Sequence, residues 1–370
     1  MLNLVKTLST IIFFTLIGFN LYAQNHDCEG QILVHPIILE TRGVGDFDFI
    51  DSLLLNKNYF FLSEAHGNPH TFEVAEKLIT YLGSIDKLDW VALETDYSHG
   101  YELNNYLETG NALRLSNFLK LQPDFATYEN LDYFSHYQKL KAVHDSLGFE
   151  YKFAGIDVCK EGFKGSTFSI LHLLGNFNAS DAISIIVLEG NDLLQKKEIS
   201  YRNMQKWVDK INFQKEQIRK SVMNENQLDQ YEQLGNILFN VEQSLIIRSM
   251  KPVNREVEIA HNFQRYFDQN DDVYCQFGYG HVLTNRWPQL GDEGKSFVDW
   301  LETNSEYKGR SLIFAFSPNL EDRPEFTLFG DALCLQFKTE ILLTNFPAIV
   351  DVRDVPAFNR QFQFVFIIDE

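Results

Sequence analysis

Four short apolar segments of the sequence are each followed directly by a histidine or a carboxylate. The residues concerned are Glu64, His66, Glu94, Asp157 and His281. A neutral histidine flanked by carboxylates is oriented and made more basic, which is the arrangement needed to take a proton from water. A second histidine or a cation must then stabilise the oxyanion or protonate the leaving group. These residue types therefore predict a hydrolytic site.

Glycines lie close to both of the histidines, His66 and His281. Glycine allows the backbone to approach another group closely, and a histidine with only a structural role seldom needs it. This favours a functional role for both histidines. For the carboxylates a structural interpretation stays open, because Glu94 could cap the following helix and Asp157 could stabilise its own turn.

His70, His99 and Tyr279 are candidates for a supporting role. His70 stands at the start of a predicted helix, where it could contribute to the same cleft or face solvent. His99 lies in a polar stretch, residues 97–100, which we predict to be a turn on the rim of the site. Tyr279 stands beside His281 and could contact a ligand there.

The sequence lacks the motifs of several other mechanisms. It contains no G-x-S-x-G nucleophile elbow, no Walker A loop and no H-E-x-x-H zinc helix. The stretch 278–280 is too short to be a dinucleotide fingerprint. Covalent serine chemistry is therefore not indicated, and the attacking group is expected to be a water activated by histidine or bound to a metal.

Short segments rich in β-branched and aromatic residues predict the strands that would carry these side chains. They cover residues 59–62, 90–93, 151–156, 273–277, 311–316 and 362–368. Helical periodicity lies between them, as at 72–82, 131–147 and 257–267. This alternation is typical of an α/β fold with a mainly parallel central sheet and helices on both faces. The carboxyl ends of parallel strands form one ligand-binding edge, which would bring the polar residues together.

The region from about 160 to 250 has few strand signals and long helical periodicity. We interpret it as a large helical insertion, either a cap over the site or a buttress. Residues 24–370 are predicted to form a single α/β domain that contains this insertion.

Residues 1–23 have the layout of a cleavable secretory signal. Lys6 is their only charged residue, an apolar run covers 11–19, and Ala23 ends the segment. A retained anchor helix is the alternative. No later segment approaches the length of about 18 apolar residues that a membrane span needs. The mature chain is therefore expected to be exported, periplasmic or extracellular, without membrane insertion.

The chain is strongly acidic, with 51 acidic and 32 basic residues and a formal net charge of −19. Such a surface repels phosphate backbones and anionic membranes, which argues against nucleic acid as a partner. The cysteines, Cys28, Cys159, Cys275 and Cys334, lack the spacing of a zinc site and leave the disulfide pairing open. Cys159 and Cys275 stand beside predicted strands and could be buried thiols instead.

The chain resembles the erythromycin esterase-like family in a series of short motifs between about residues 60 and 285. The opening motif, at 61–70, is a strand followed by Glu64 and His66. Later stretches resemble the family's further motifs in the same order, at 91–94, 104–107, 153–157, 254–262 and 278–281. The first motif is E-x-H rather than the esterases' E-x-x-H, and Ser63 replaces the usual glycine. This spacing is closer to the ChaN-like haem-uptake proteins of the same superfamily.

The resemblance implies a role for each residue of the site. His66 would be the general base, Glu64 or Glu94 would orient it, and His281 would be the second catalytic or transition-state-stabilising group. Arg255 could hold a carboxylate, bind substrate or brace its helix. The residues expected to contact the substrate are His70, Asp157, Arg255 and Tyr279. The expected reaction is hydrolysis of a small-molecule ester or lactone without a cofactor.

Two alternatives to the esterase hypothesis stay open at this point. In the first, His66, His281, Glu64 and Glu94 bind Mn²⁺ or Zn²⁺ in a metal-dependent hydrolase or protease. The distant Tiki proteases of the superfamily are metal-dependent. In the second, the chain is a non-catalytic binding protein for haem or another ligand, since Tyr279 and His281 are suitable axial ligands.

Overall fold

The fold is described from a computed structural model. It describes residues 33–36, 45–64, 66–68, 70–122, 132–148, 150–159, 162–178, 180–222, 225–249, 254–284, 295–317, 348–354 and 362–367. The predicted signal at 1–23 lies outside these residues, as do Cys28 and Cys334.

Eight strands form the central sheet in the described part of the chain. They are β1 (Leu33–Pro36), β2 (Tyr59–Glu64), β3 (Trp90–Leu93), β4 (Lys152–Gly155), β5 (Val273–Gly278), β6 (Ser311–Ser317), β7 (Ala348–Asp351) and β8 (Phe364–Ile367). Their order across the sheet is β1-β7-β8-β6-β2-β5-β3-β4. Neighbouring strands are parallel, except that β7 is antiparallel to both β1 and β8.

A 3-10 helix at Gly45–Ile50 and thirteen α-helices complete the described residues. The α-helices are α1 (Asp51–Leu54), α2 (His70–Ser84), α3 (Tyr97–Thr109), α4 (Ala112–Leu119), α5 (Tyr133–Leu147), α6 (Lys164–Gly175), α7 (Asp181–Leu194), α8 (Tyr201–Phe213), α9 (Lys215–Lys220), α10 (Glu225–Ser249), α11 (Arg255–Tyr266), α12 (Tyr279–Val282) and α13 (Phe297–Thr303). None of these helices is long and apolar enough to cross a membrane.

The predicted α/β fold with a mainly parallel sheet is confirmed. Side chains alternate between the two faces, so that Phe60 and Leu62 of β2 enter one buried cluster and Tyr59 and Phe61 enter the other. Helices α2 to α5 supply the first cluster, and α11 and α13 supply the second. The sheet is therefore covered on both faces, as a parallel sheet requires.

Helices α6 to α10 pack around a third hydrophobic cluster of their own, centred on residues such as Trp207. Their contact with the sheet is polar as well as apolar. Asn240 of α10 is buried, and its side chain donates to the carbonyl of Asp157 at 2.8 Å and accepts from the backbone N–H of Tyr97 at 3.3 Å. These helices therefore pack against the loops that follow β3 and β4.

Local structure differs from the sequence prediction at a few positions. Within the region of helical periodicity from about 160 to 250, Gln214 separates α8 from α9, and strands β1 and β7 were not predicted. His99 does not lie in a turn on the rim of the site: it belongs to the first turn of α3 and is buried, and burial lowers its pKa to about 3. Cys159 and Cys275 are buried thiols, which was one of the two interpretations.

Candidate active site

The carboxyl end of β2 carries a hydrogen-bonded carboxylate–histidine pair. Glu64 is the last residue of β2, and its Oε1 lies 2.8 Å from Nδ1 of His66. The other carboxylate oxygen accepts a 2.6 Å hydrogen bond from the side-chain amide of Gln276 on the neighbouring strand β5. Glu64 is held at both oxygens and so fixes the orientation of the imidazole. The ring itself is open to solvent, with 45% of the His66 side chain exposed.

Glu94 lies at the centre of the site, directly after β3, and its side chain is nearly buried. Its Oε2 accepts a 2.8 Å hydrogen bond from the backbone N–H of Gly278 and lies 3.8 Å from Nε2 of His66. Its Oε1 lies 3.0 Å from Nη2 of Arg255 and 3.3 Å from Nε2 of His281. Glu94 therefore lies between the two histidines, with one carboxylate oxygen facing each ring.

Arg255, the first residue of α11, joins two carboxylates from different strands. Its Nε donates to Oδ1 of Asp157 at 2.9 Å, and its Nη2 donates both to Oδ2 of Asp157 and to Glu94. Burial lowers the pKa of Arg255, but the two carboxylates outweigh burial and raise that pKa above its ordinary value. The bidentate contact fixes the plane of the guanidinium as well as its charge.

His281 lies in α12 and is held at both ring nitrogens. Its Nδ1 is 2.7 Å from Oε1 of Glu256, and its Nε2 faces Glu94 at 3.3 Å and Nη1 of Arg255 at 3.1 Å. Burial lowers the pKa of His281, but the hydrogen bonds to Glu256 and Glu94 outweigh burial and raise it to about 9. His281 is therefore an imidazolium at neutral pH. Its side chain is 15% exposed, whereas the His66 side chain is 45% exposed.

Gly278 lies against the His66 ring at the end of β5. A Cβ atom built at this position would stand 2.7 Å from Nε2 of His66 and 3.3 Å from Oε2 of Glu94. A side chain here would therefore displace the histidine. The glycines near His281 predicted that the backbone there approaches another group closely. Gly278 makes this close approach, and the group is the ring of His66.

The structure brings together most of the residues that the sequence analysis singled out. Those in mutual contact are Glu64, His66, Glu94, Asp157, Arg255 and His281. Asp157 is fully buried, and its carboxylate binds Arg255. His70 hydrogen-bonds to Glu73 of its own helix, with 2.6 Å between Nδ1 and Oε2. Tyr279 is half-buried and packs against the clusters on both faces of the sheet.

Two residues of the site, Glu256 and Gln276, were not predicted. Glu256 binds His281 and directly follows Arg255, so the Arg–Glu pair that opens α11 was a signal available in the sequence. Gln276 binds Glu64 from β5 and carries no comparable signal, because a single glutamine in an apolar strand is compatible with many environments. Its role follows only from the pairing of Leu62 with Gln276 across β2 and β5.

The ligand set proposed for a metal is occupied by internal contacts. Within the described ranges, no three His, Cys, Asp or Glu side chains are grouped so that they could hold a metal ion. The guanidinium of Arg255 lies between Glu94 and His281 and supplies the positive charge that balances the carboxylate. Glu94 and His281 are therefore engaged with Arg255 and with each other in the described residues.

Comparison with known proteins shows similarity at the level of the fold. No protein-family model matches the chain, and no curated protein matches its sequence. A solved structure of an erythromycin esterase, the histidine-to-asparagine mutant of EreC in its open conformation, is similar with a TM-score of 0.61 at 11% identity, covering 91% of this chain and 97% of that one.

Two further solved structures show the same similarity over most of their length. A Bacillus cereus protein matches with a TM-score of 0.58 at 13% identity, covering 91% of this chain and 94% of that one. A succinoglycan biosynthesis protein matches with a TM-score of 0.59 at 14% identity, with the same two coverages of 91% and 94%. The chain therefore shares the fold of an erythromycin esterase.

Proposed function

We propose that this protein hydrolyses carboxylic esters or lactones and that His66 activates the attacking water. The observation that carries the proposal is the environment of the His66 ring. Its Nδ1 is hydrogen-bonded to Glu64, its Nε2 faces Glu94 at 3.8 Å, and 45% of the side chain is exposed. An imidazole oriented by one carboxylate and open to solvent on its other side is suited to general-base catalysis.

The hydrogen bonds define which nitrogen of His66 is the base. A carboxylate only accepts hydrogen bonds, so Nδ1 donates to Glu64, and in the neutral imidazole the lone pair is then on Nε2. Nε2 and Oε2 of Glu94 are 3.8 Å apart, which allows one water to donate a hydrogen bond to each of them. His66 can then remove a proton from that water, while Glu64 stabilises the imidazolium that forms.

The remaining steps use the same few groups. The oxygen of the water forms a bond to the acyl carbon, and the imidazolium of His281 stabilises the negative charge on the carbonyl oxygen. The bond between the acyl carbon and the alcohol oxygen then breaks. The proton held by His66 passes to that alcohol oxygen, so that one water is consumed and an acid and an alcohol are released. Both histidines finish the cycle in the protonation states in which they began.

The charges of the site favour an uncharged ester or lactone over a phosphate ester. Arg255 is engaged by Glu94 and Asp157, and His281 is engaged by Glu94 and Glu256. The four carboxylates of the site, Glu64 included, outnumber its two cations, so an anionic substrate would meet net negative charge. The likeness in fold to an erythromycin esterase supports the reaction class.

Hydrolysis of a panel of neutral esters and lactones in ¹⁸O-labelled water tests the proposed function. A single turnover is expected to place ¹⁸O in the acid product, without a burst of alcohol, because no acyl-enzyme forms. An alcohol burst or an isolated acyl-enzyme would contradict a directly activated water. Failure to hydrolyse any member of the panel would remove the support for ester hydrolysis.

Replacing Gly278 by alanine is expected to lower kcat/KM by about 10²-fold, because the new Cβ pushes the His66 ring away from its position beside Glu94. Steady-state kinetics on the best substrate of the panel measure the effect. Gly235→Ala in α10 is the control, since its Cβ would meet no atom within 4 Å. Equal activity in Gly278→Ala and the unmodified protein would mean that the His66 position is not critical.

We also propose that the reaction needs no cofactor and that the chain is exported. Elemental analysis of untagged protein tests the first proposal: stoichiometric Mn or Zn would favour the metal-dependent alternative, and iron with a Soret band would favour haem binding.

The apolar run that ends before Ala23 supports export. Sequencing of the amino terminus of the secreted protein tests it.

A further inference from the structure

Glu256 makes contacts that the proposed chemistry of His66 does not require. It is the second residue of α11, and its carboxylate lies 2.7 Å (Oε1) and 2.9 Å (Oε2) from Nδ1 of His281. Its Oε2 also accepts a 3.1 Å hydrogen bond from the backbone N–H of Phe297, the first residue of α13. One carboxylate therefore links α11, α12 and α13 at the edge of the site.

We propose that Glu256 is a positioning residue that fixes the ring of His281 and holds it in its cationic form. A carboxylate accepts only, so Nδ1 of His281 must carry a hydrogen in this contact. A fixed Nδ1–H directs Nε2 towards Glu94 and the substrate. The proposal rests on the proposed function for its kinetic consequence, but the charge of His281 can be measured without any substrate.

Three charged groups face His281, and their effects on its charge differ in sign. Glu256 and Glu94 favour the imidazolium, whereas Arg255, with its Nη1 3.1 Å from Nε2, opposes it. Arg255 also forms an ion pair with Glu94, and its positive charge partly offsets the effect of the Glu94 carboxylate on His281. Glu256 is not shared with a second cation in the described contacts, because its other partner is the neutral N–H of Phe297. Glu256 is therefore the carboxylate on which the charge of His281 depends most.

The backbone of Glu256 is held in place by the residue that caps its helix. Its N–H donates to the side chain of Asn254, the N-cap of α11, at 3.0 Å. The Glu256 side chain is 18% exposed, so solvent screens its charge only in part. A rigid, partly desolvated carboxylate at hydrogen-bond distance is the arrangement that best favours a protonated histidine.

Glu258 provides a matched control on the same helix. It is the other acidic residue in the first turn of α11, so removing its charge changes the helix terminus in the same way. Its carboxylate accepts instead from the side-chain amide of Gln243 at 3.0 Å. A difference between Glu256→Gln and Glu258→Gln therefore reports contact with His281 and not a general loss of negative charge.

The test is an NMR titration of the intact protein with labelled histidine, in which the His281 signal is identified by its absence from His281→Gln. In the unmodified protein His281 is expected to titrate near pH 9. In Glu256→Gln the acid dissociation constant of His281 is expected to rise by about tenfold or more, so that its titration midpoint falls by about one pH unit or more. Glu258→Gln is expected to leave the midpoint unchanged.

The same variants are then compared in the hydrolysis assay. In Glu256→Gln the alkaline limb of the pH–rate profile is expected to move to lower pH by the same amount, with KM little changed. Glu256→Asp keeps a carboxylate and is expected to show only part of this shift. An unchanged His281 midpoint in Glu256→Gln, or an equal change in Glu258→Gln, would overturn the proposal. A shifted midpoint in a protein that hydrolyses no ester would support the role of Glu256 and contradict only the proposed function.

Discussion

Replacing His66 by alanine is expected to lower kcat by about 10²- to 10⁴-fold, the range that a positioned general base contributes. The ring is the only element of the site that combines a lone pair directed at a second carboxylate with an open side: its Nε2 lies 3.8 Å from Oε2 of Glu94, and 45% of the side chain is exposed. Without the imidazole, neither Glu64 nor Glu94 replaces it, because each is already engaged in other hydrogen bonds.

The stability of His66→Ala is expected to stay close to that of the unmodified protein, because a side chain that is 45% exposed contributes little to folding. Steady-state kinetics and thermal unfolding of the same samples separate the two effects. His261→Ala is the control, since His261 is 61% exposed on α11 and outside the site. Activity within about twofold of normal in His66→Ala would refute the general-base role.

Replacing Asp157 by asparagine is expected to lower the free energy of unfolding by about 3 kcal/mol. Asp157 is fully buried and accepts two hydrogen bonds from Arg255, and removing one partner of a buried ion pair leaves the other charge uncompensated. The effect is placed at the low end of the usual range of about 3–5 kcal/mol because Arg255 keeps Glu94 and is 29% exposed. Urea denaturation measures the change.

Two controls identify the cause of this destabilisation. Removing both charges in Asp157→Leu/Arg255→Met is expected to cost less than Asp157→Asn alone, because neither member of the pair is then buried without the other. Glu94 loses Arg255 in this variant but keeps His281 and the backbone N–H of Gly278. Asp145→Asn removes the exposed pair with Lys141, in which Asp145 is 52% exposed, and is expected to change stability by less than about 1 kcal/mol. A loss in Asp157→Asn no larger than in Asp145→Asn would show that the buried pair does not support the fold.

The fold could be predicted from the sequence because its central strands are strongly patterned. In β2 and β5 nearly every residue is apolar and buried, so the strand signal does not depend on distant contacts. Strands β1 and β7 could not be predicted in the same way. Strand β1 is the edge strand and ends in Pro36. Strand β7 lies between β1 and β8 and is antiparallel to both, so its place in the sheet depends on distant partners.

Helix boundaries and burial also depended on tertiary contacts. The stretch that begins with Tyr97 and includes His99 was predicted to be a turn on the rim of the site because it is polar. In the fold, Gly100 lies directly against Ala154 and Gly155 of β4, so a larger residue there would collide with backbone. The glycine allows α3 to pack closely on the sheet, and His99 is buried as a result.

The sequence by itself determined which residues stand at the carboxyl ends of the strands, because a strand followed by a charged residue is a local pattern. That was sufficient to select Glu64, His66, Glu94 and His281 as candidates. The partners of these side chains were decided only by the tertiary structure. The order β2-β5-β3 places residues from distant parts of the chain within 4 Å of each other, so that Gln276 meets Glu64 and Gly278 meets Glu94. Periodicity in one segment carries no information about such pairs, because the pairing of strands is set by the packing of the whole sheet.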